Sequence, residues 1–205
     1  MSFIPIIHKV NTIEKLKTVP KNYGVEIDIR FENNNLYLSH DLIIDKTSKC
    51  SLEDFLWEYN HEFIVANIKD TGIESDVIQA ISQATNNFFL LDFEIPFLFH
   101  KNKKIKKYLS TRYSIFEQTS KESEVIDYVD WMWVDTFSDF PINEININNL
   151  PNLKKCLVSP ERWGRKDDIS KIVKFMHTHK INFELIMTDL NMVDIWSKML
   201  NKKIS

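Results

Sequence analysis

Short apolar runs of strand character alternate with helix-like stretches along the whole chain, and no other feature of the sequence restricts its fold as strongly. The strand-like runs are FIPII (3–7), GVEIDI (24–29), FIVANIK (63–69), FFLLDF (88–93), YSIF (113–116), WMWVD (131–135), KKCLVS (154–159) and FELIMTD (183–189). Between them the periodicity predicts helices over 12–18, 52–59, 74–84, 96–109, 121–128, 143–149, 167–179 and 192–201. Ser51 with Asp54 three residues on, Thr119 with Glu122, and Pro96 at an opening turn mark helix starts. Parallel strands need crossover connections, so eight strand-helix units in 205 residues predict one domain, 1–205, built as an α/β (β/α)8 TIM barrel. An open doubly wound sheet is the rival. It normally carries a glycine-rich phosphate turn after its first strand, and here that strand runs into IIHKVNT.

Composition narrows the function classes. With 43% hydrophobic and 27% charged residues the chain is globular in character, not disordered or fibrous. A net charge of -3 gives no global attraction to nucleic acid or anionic lipid, and the basic run from Lys101 to Lys107 reads as a solvated helix face. The two cysteines, Cys50 and Cys156, form no metal-binding spacing and suit a reducing, cytoplasmic setting without a structural disulfide. Neither a signal-peptide core nor a run of roughly 18 apolar residues able to span a membrane is expected.

Chemistry concentrates near the predicted strand ends. In GVEIDIRF the apolar Val25, Ile27, Ile29 and Phe31 alternate with Glu26, Asp28 and Arg30, so the two carboxylates share a strand face. The outward face of a barrel strand packs on helices and takes the Val and Ile residues, which turns Glu26 and Asp28 inward. Like charges buried together are costly unless a cation joins them. His8 and His40 each end an apolar run and are expected at the same C-terminal rim. FIVANIKD places Asn67 and Lys69 on one face near another strand end, where a lysine beside a metal can hold a phosphate oxygen. Arg112, Asp135, Glu161, Trp163 and Asp189 stand near later strand ends and rank second as pocket residues. His61, His100, His177 and His179 fall in helices or loops and read as structural.

The succession His8-Lys9, Glu26-x-Asp28, His40-Asp41 and Asn67-x-Lys69 resembles the glycerophosphodiester phosphodiesterase family, and is similar to the related phospholipase D toxins and, more distantly, to phosphatidylinositol-specific phospholipase C. The motif-bearing part is the first third of the chain. The resemblance implies a (β/α)8 barrel, Glu26 and Asp28 as ligands of a divalent cation, magnesium or calcium, and His8 and His40 as the acid/base pair. It also implies that Lys69 contacts the phosphate. Three departures stand out: His8-Lys9-Val10 replaces the family's HRG, so Lys9 offers a point charge instead of an arginine fork; Asn67 replaces a third metal carboxylate; and the usual insertion after His-Asp is missing.

The function these features predict is metal-dependent hydrolysis of a small soluble phosphodiester by His/His acid-base catalysis, with Lys69 and Lys9 on the phosphate and Glu26, Asp28 and Asn67 on the cation. A small-molecule phosphodiester is the expected partner, without nucleic acid or a membrane span. Two alternatives stay open: a catalytically degenerate barrel that binds a phosphorylated ligand, and a phosphatase or sugar-nucleotide hydrolase on the same scaffold.

Overall fold

The computed structural model describes residues 2–42, 49–100 and 103–202. Two compact units divide the chain, one formed by Ile6–Leu109 and the other by Ser110–Ser205 with Met1–Pro5.

The first unit contains the end of β1 (Ile4–Ile7), α1 (Ile13–Thr18), β2 (Gly24–Glu32), β3 (Asn35–Leu38), β4 (Cys50–Ser51), α2 (Leu52–Glu58), β5 (Ile64–Ile68), α3 (Glu74–Ala84), β6 (Phe88–Leu91) and α4 (Ile95–His100). Its strands β1, β2, β5 and β6 are parallel, with Ile7 opposite Val25, Asp28 opposite Asn67, and Asn67 opposite Leu91. Thr12 and Ser51 cap α1 and α2, their side chains accepting from the N–H groups of Lys15 and Asp54. α3 spans the predicted residues, with Val77 and Ile81 buried. Val25, Ile27 and Ile29 are fully buried, as their alternation requires. At Gly24 the strands approach so closely that a Cβ would lie 2.4 Å from Ile6 Cδ1 and 2.7 Å from the Phe63 carbonyl oxygen.

β2 runs three residues beyond the predicted strand and returns as the antiparallel β3. Asn33 and Asn34, at φ 52° and 63°, form the connection, a left-handed pair that suits the twist of a two-residue hairpin. The predicted helix over 96–109 is replaced by the short α4 and a 3₁₀ stretch, Lys103–Tyr108.

In the second unit β7 (Ser110–Tyr113), β8 (Trp131–Val134), β9 (Lys154–Val158) and β10 (Leu185–Thr188) pair in parallel and in chain order, with α5 (Asp168–His179) and α6 (Val193–Asn201) packed on a core of Met132, Val134, Leu157, Ile172, Met176, Phe183, Ile186 and Trp196. β7 ends where the predicted strand 113–116 was to begin. Ser114 stops it, because its hydroxyl accepts from the N–H groups of Phe116 and Glu117 and makes a local turn. The predicted helices 121–128 and 143–149 shrink to 3₁₀ turns at Glu124–Asp127 and Ile147–Asn149. Asn143 accepts from Ile145 and Asn146 N–H, and Asn146 accepts from Asn143 N–H, so side chains compete with the helix for its backbone donors. Thr119 is no cap, its hydroxyl lying against that of Thr111 and the carbonyl of Arg112.

The chain is thus mixed α/β with mainly parallel strands. The strand pairs do not trace a closed ring among the described residues, so barrel closure is not part of the observed pairing. Among those residues no helix is long and apolar enough to cross a membrane, and Cys50 and Cys156 are free thiols.

Candidate active site

The first unit gathers most of the predicted residues at the C-terminal ends of β1, β2 and β5. Glu26 and Asp28 point from one face of β2 and are 2% and 0% exposed. Glu26 accepts from the Lys9 backbone N–H (2.7 Å) through Oε2 and from Asn67 Nδ2 (3.2 Å) through Oε1. Burial, reinforced by the charge of Asp28, pushes its carboxyl up to about 7, against the opposing Lys9 N–H, Asn67 amide and Lys69 ammonium. Asp28 Oδ2 accepts from Asn11 Nδ2 at 2.8 Å, and Asn11 Oδ1 takes the Asp28 N–H at the same distance. Lys69 Nζ pairs with Asp28 Oδ1 at 3.1 Å.

His8 follows β1 and holds Nε2 3.9 Å from Glu26 Oε2, too long for a hydrogen bond but within electrostatic reach. His40 lies on the segment that follows β3. Its ring is 42% exposed and bonds through Nδ1 to Asp41 Oδ1 at 2.8 Å. The segment is tethered to β2 by the Ser39 N–H, which donates to the Asp28 carbonyl at 3.0 Å, and by Arg30 Nη2, which donates to the His40 carbonyl at 3.1 Å. The hydrogen bond from His40 holds the Asp41 carboxyl below its usual range, with smaller contributions from the charges of Lys9 and Arg30. The Lys9 side chain therefore shares the electrostatic field of the His40-Asp41 segment.

Four residues outside the predicted site set contribute. Asn11 fixes the Asp28 carboxylate, Lys15 binds the turn after β1, and Arg30 pairs with Asp70 (Nη1 to Oδ1, 2.8 Å) while the other Asp70 oxygen accepts the Phe31 N–H. The alternation placed Arg30 on the face of Glu26 and Asp28, a usable signal. Asn11 and Lys15 act from a turn and a helix whose contacts have no periodic signature.

Oxygen chemistry decides whether a cation suits this cluster. Among the described residues no group of three or more His, Cys, Asp and Glu side chains is placed to hold a metal ion, and Asn67, beside Glu26, offers an amide in place of a further carboxylate. Asp28 Oδ1 and Asn67 Oδ1, on residues paired across neighbouring strands, are buried and accept no hydrogen bond, although Lys69 Nζ lies near the former. Two carboxylates and an amide oxygen, the amide oxygen buried without a hydrogen bond and Asp28 Oδ1 facing only the Lys69 ammonium, fit a hard divalent cation by donor type.

The second-ranked residues belong to the other unit. Arg112 pairs with Asp135 at 3.2 Å, whose burial pushes its carboxyl up. Glu161 accepts the hydroxyls of Ser159 and Thr188, Arg162 pairs with Asp189 at 2.7 Å, and Trp163 packs on Phe137 with ring centres 4.7 Å apart.

No family model matches the sequence, and no curated protein matches it. Among solved structures, the chain is similar to a glycerophosphodiester phosphodiesterase from Agrobacterium tumefaciens, with a TM-score of 0.58 over 91% of this chain and 96% of that one, at 11% sequence identity. Likeness at that identity establishes a common fold.

Proposed function

We propose that the chain is a phosphodiesterase of the glycerophosphodiester type on a (β/α)8 scaffold, acting on a small soluble diester. The observation that carries this reading is the buried Glu26-Asp28 pair, set beside His8 on one side and Lys69 on the other, on a fold shared with a phosphodiesterase. Glu26, Asp28 and Asn67 would hold magnesium or calcium, which when bound polarises phosphoryl oxygens and offsets charge in the transition state.

The chain's own groups supply positioning and proton transfer. Lys69, whose side chain is 18% exposed, can swing from Asp28 toward a phosphoryl oxygen, and Lys9 adds a second cation. The Asp41 carboxylate fixes a proton on Nδ1 of His40 and leaves Nε2 as an acceptor, which suits the base that takes a proton from the attacking hydroxyl or water. His8, whose Nε2 lies 3.9 Å from Glu26 Oε2, is placed to act as the acid that protonates the leaving alkoxide. Such groups each contribute about 10²- to 10⁴-fold to rate.

Turnover of a glycerophosphodiester panel tests the reading. Activity should disappear in EDTA and return with magnesium or calcium, and His8→Ala and His40→Ala should each lower kcat by at least about 100-fold. Full turnover in either variant, or indifference to the chelator, would falsify the mechanism.

One observation favours a second reading, a degenerate barrel that binds a phosphorylated ligand without cleaving it. Asn67 donates to Glu26 and Lys69 pairs with Asp28, so the cluster partly neutralises itself. Saturable binding of a phosphodiester without product would select that alternative.

A further inference from the structure

The turn after β1 adopts a conformation its own residues disfavour. Lys9 has φ 53°, a left-handed backbone that is strained for a residue with a Cβ. In this conformation the Lys9 N–H donates to Glu26 Oε2 at 2.7 Å, the Val10 N–H donates to the Glu26 carbonyl at 2.8 Å, and His8 Nε2 stands 3.9 Å from the same Oε2. One short turn thereby sets both the hydrogen bond to the buried carboxylate and the place of the imidazole. The carbonyls of His8 and Lys9 converge on a single ammonium, Lys15 Nζ, at 2.8 and 2.9 Å. Lys15 lies in the first turn of α1, where its own N–H is held by the Thr12 hydroxyl at 3.2 Å.

We propose that Lys15 is a positioning residue for this site, clamping the strained His8-Lys9 turn through its two carbonyls and so fixing the Lys9 N–H and the His8 imidazole against Glu26. A lysine suits the task because an ammonium offers several charged donors on a flexible stem, whereas the strained turn has two adjacent carbonyls to satisfy. Without the clamp the turn relaxes, the hydrogen bond to Glu26 lengthens, and His8 loses its register. The catalytic consequence rests on the phosphodiesterase reading; the structural one does not.

Lys15→Met and Lys15→Arg test the inference, with Lys17→Met as the control, since Lys17 is on the same helix but pairs with Glu58 at 3.6 Å. The Lys9 amide reports the clamp without any substrate. In Lys15→Met its proton resonance should move upfield and its hydrogen exchange should speed up by about tenfold or more. In the same variant kcat should fall about 10- to 100-fold with KM kept within about threefold. Lys15→Arg should hold both readouts within about threefold of the parent, because a guanidinium can also span two carbonyls. Lys17→Met should match the parent in both.

An unchanged Lys9 amide in Lys15→Met overturns the proposal, as does an altered amide with unaltered kcat. An activity loss that follows a fall of about 5 °C or more in thermal midpoint, and that Lys15→Arg does not restore, assigns Lys15 a general stabilising role and also overturns it. If the parent cleaves no phosphodiester while the Lys9 amide still responds to Lys15→Met, the functional reading fails and the clamp stands.

Discussion

Replacing Glu26 by Gln is expected to make the protein more stable above neutral pH while abolishing turnover. Glu26 is 2% exposed, and its burial beside Asp28 moves its carboxyl from 4.5 up to about 7. Because the folded value lies above the unfolded one, the native state binds this proton more tightly than the unfolded chain does. The stability from that preference is complete below 4.5 and is lost as pH rises through about 7. On a scale of about 1.4 kcal/mol per unit, the interval corresponds to about 3 kcal/mol at most. Gln keeps an acceptor for the Lys9 N–H but sets an amide against Asn67 Nδ2, a loss of about 1 kcal/mol. Glu26→Gln should therefore gain about 2 kcal/mol near pH 8 and be close to neutral near pH 5.

Urea unfolding followed by tryptophan fluorescence measures this, with parent and variant run in parallel in EDTA across that range. Every other titrating group is common to the two proteins, so the pH dependence of their difference reports Glu26 together with its coupling to Asp28. A difference that stays flat with pH, or a variant less stable by the same amount throughout, refutes the reasoning that burial and Asp28 govern this carboxyl. Magnesium or calcium added to the parent should flatten its slope if Glu26 is among the cation's oxygens, since a bound cation displaces the proton.

Lys69→Met leaves the fully buried Asp28 carboxylate without its ion pair and should cost about 2–4 kcal/mol in the same unfolding assay, with Lys69→Arg recovering most of it. An unchanged stability would mean that Asn11 alone satisfies Asp28. Gly24→Ala forces a Cβ to within 2.4 Å of Ile6 Cδ1 and 2.7 Å of a backbone oxygen; Ile6 can shift but the carbonyl cannot, so a loss of about 2 kcal/mol or more is expected. A variant with parental midpoint would show that β1 and β5 separate more freely at this point than their packing implies.

What the sequence makes legible follows from periodicity. Strand alternation locates Glu26 and Asp28 on one buried face and identifies Asn67 and Lys69 as a like-faced pair, because a period of two requires no tertiary information. The strongly amphipathic stretches at 74–84 and 167–179 also appear as helices, at the predicted residues in α3 and one residue later in α5. Prediction fails where side chains compete with the backbone. Asn143 and Asn146 take N–H groups a helix would need, Ser114 ends β7 early, and the Asn33-Asn34 pair continues β2 into a hairpin, although an Asn-Asn dipeptide between alternating runs is a turn signal.

The same division runs through the site. The two carboxylates are legible because burial of acid on a strand is anomalous, whereas the groups that make their burial tolerable are not, since a backbone N–H at Lys9, an amide at Asn11 and an ammonium at Lys69 become partners only through the fold. Charge explains what those partners leave undone. Within the buried cluster two carboxylates face one ammonium, so the cluster is one positive charge short, and a proton on Glu26 near neutrality fills the gap. On the proposed reading, a divalent cation in place of that proton would take the cluster from neutral to one net positive charge, the polarity a phosphodiester requires. The Arg30-Asp70 pair beside it is already neutral and leaves that balance unchanged, so on the proposed reading Glu26 is the group at which proton and cation would compete.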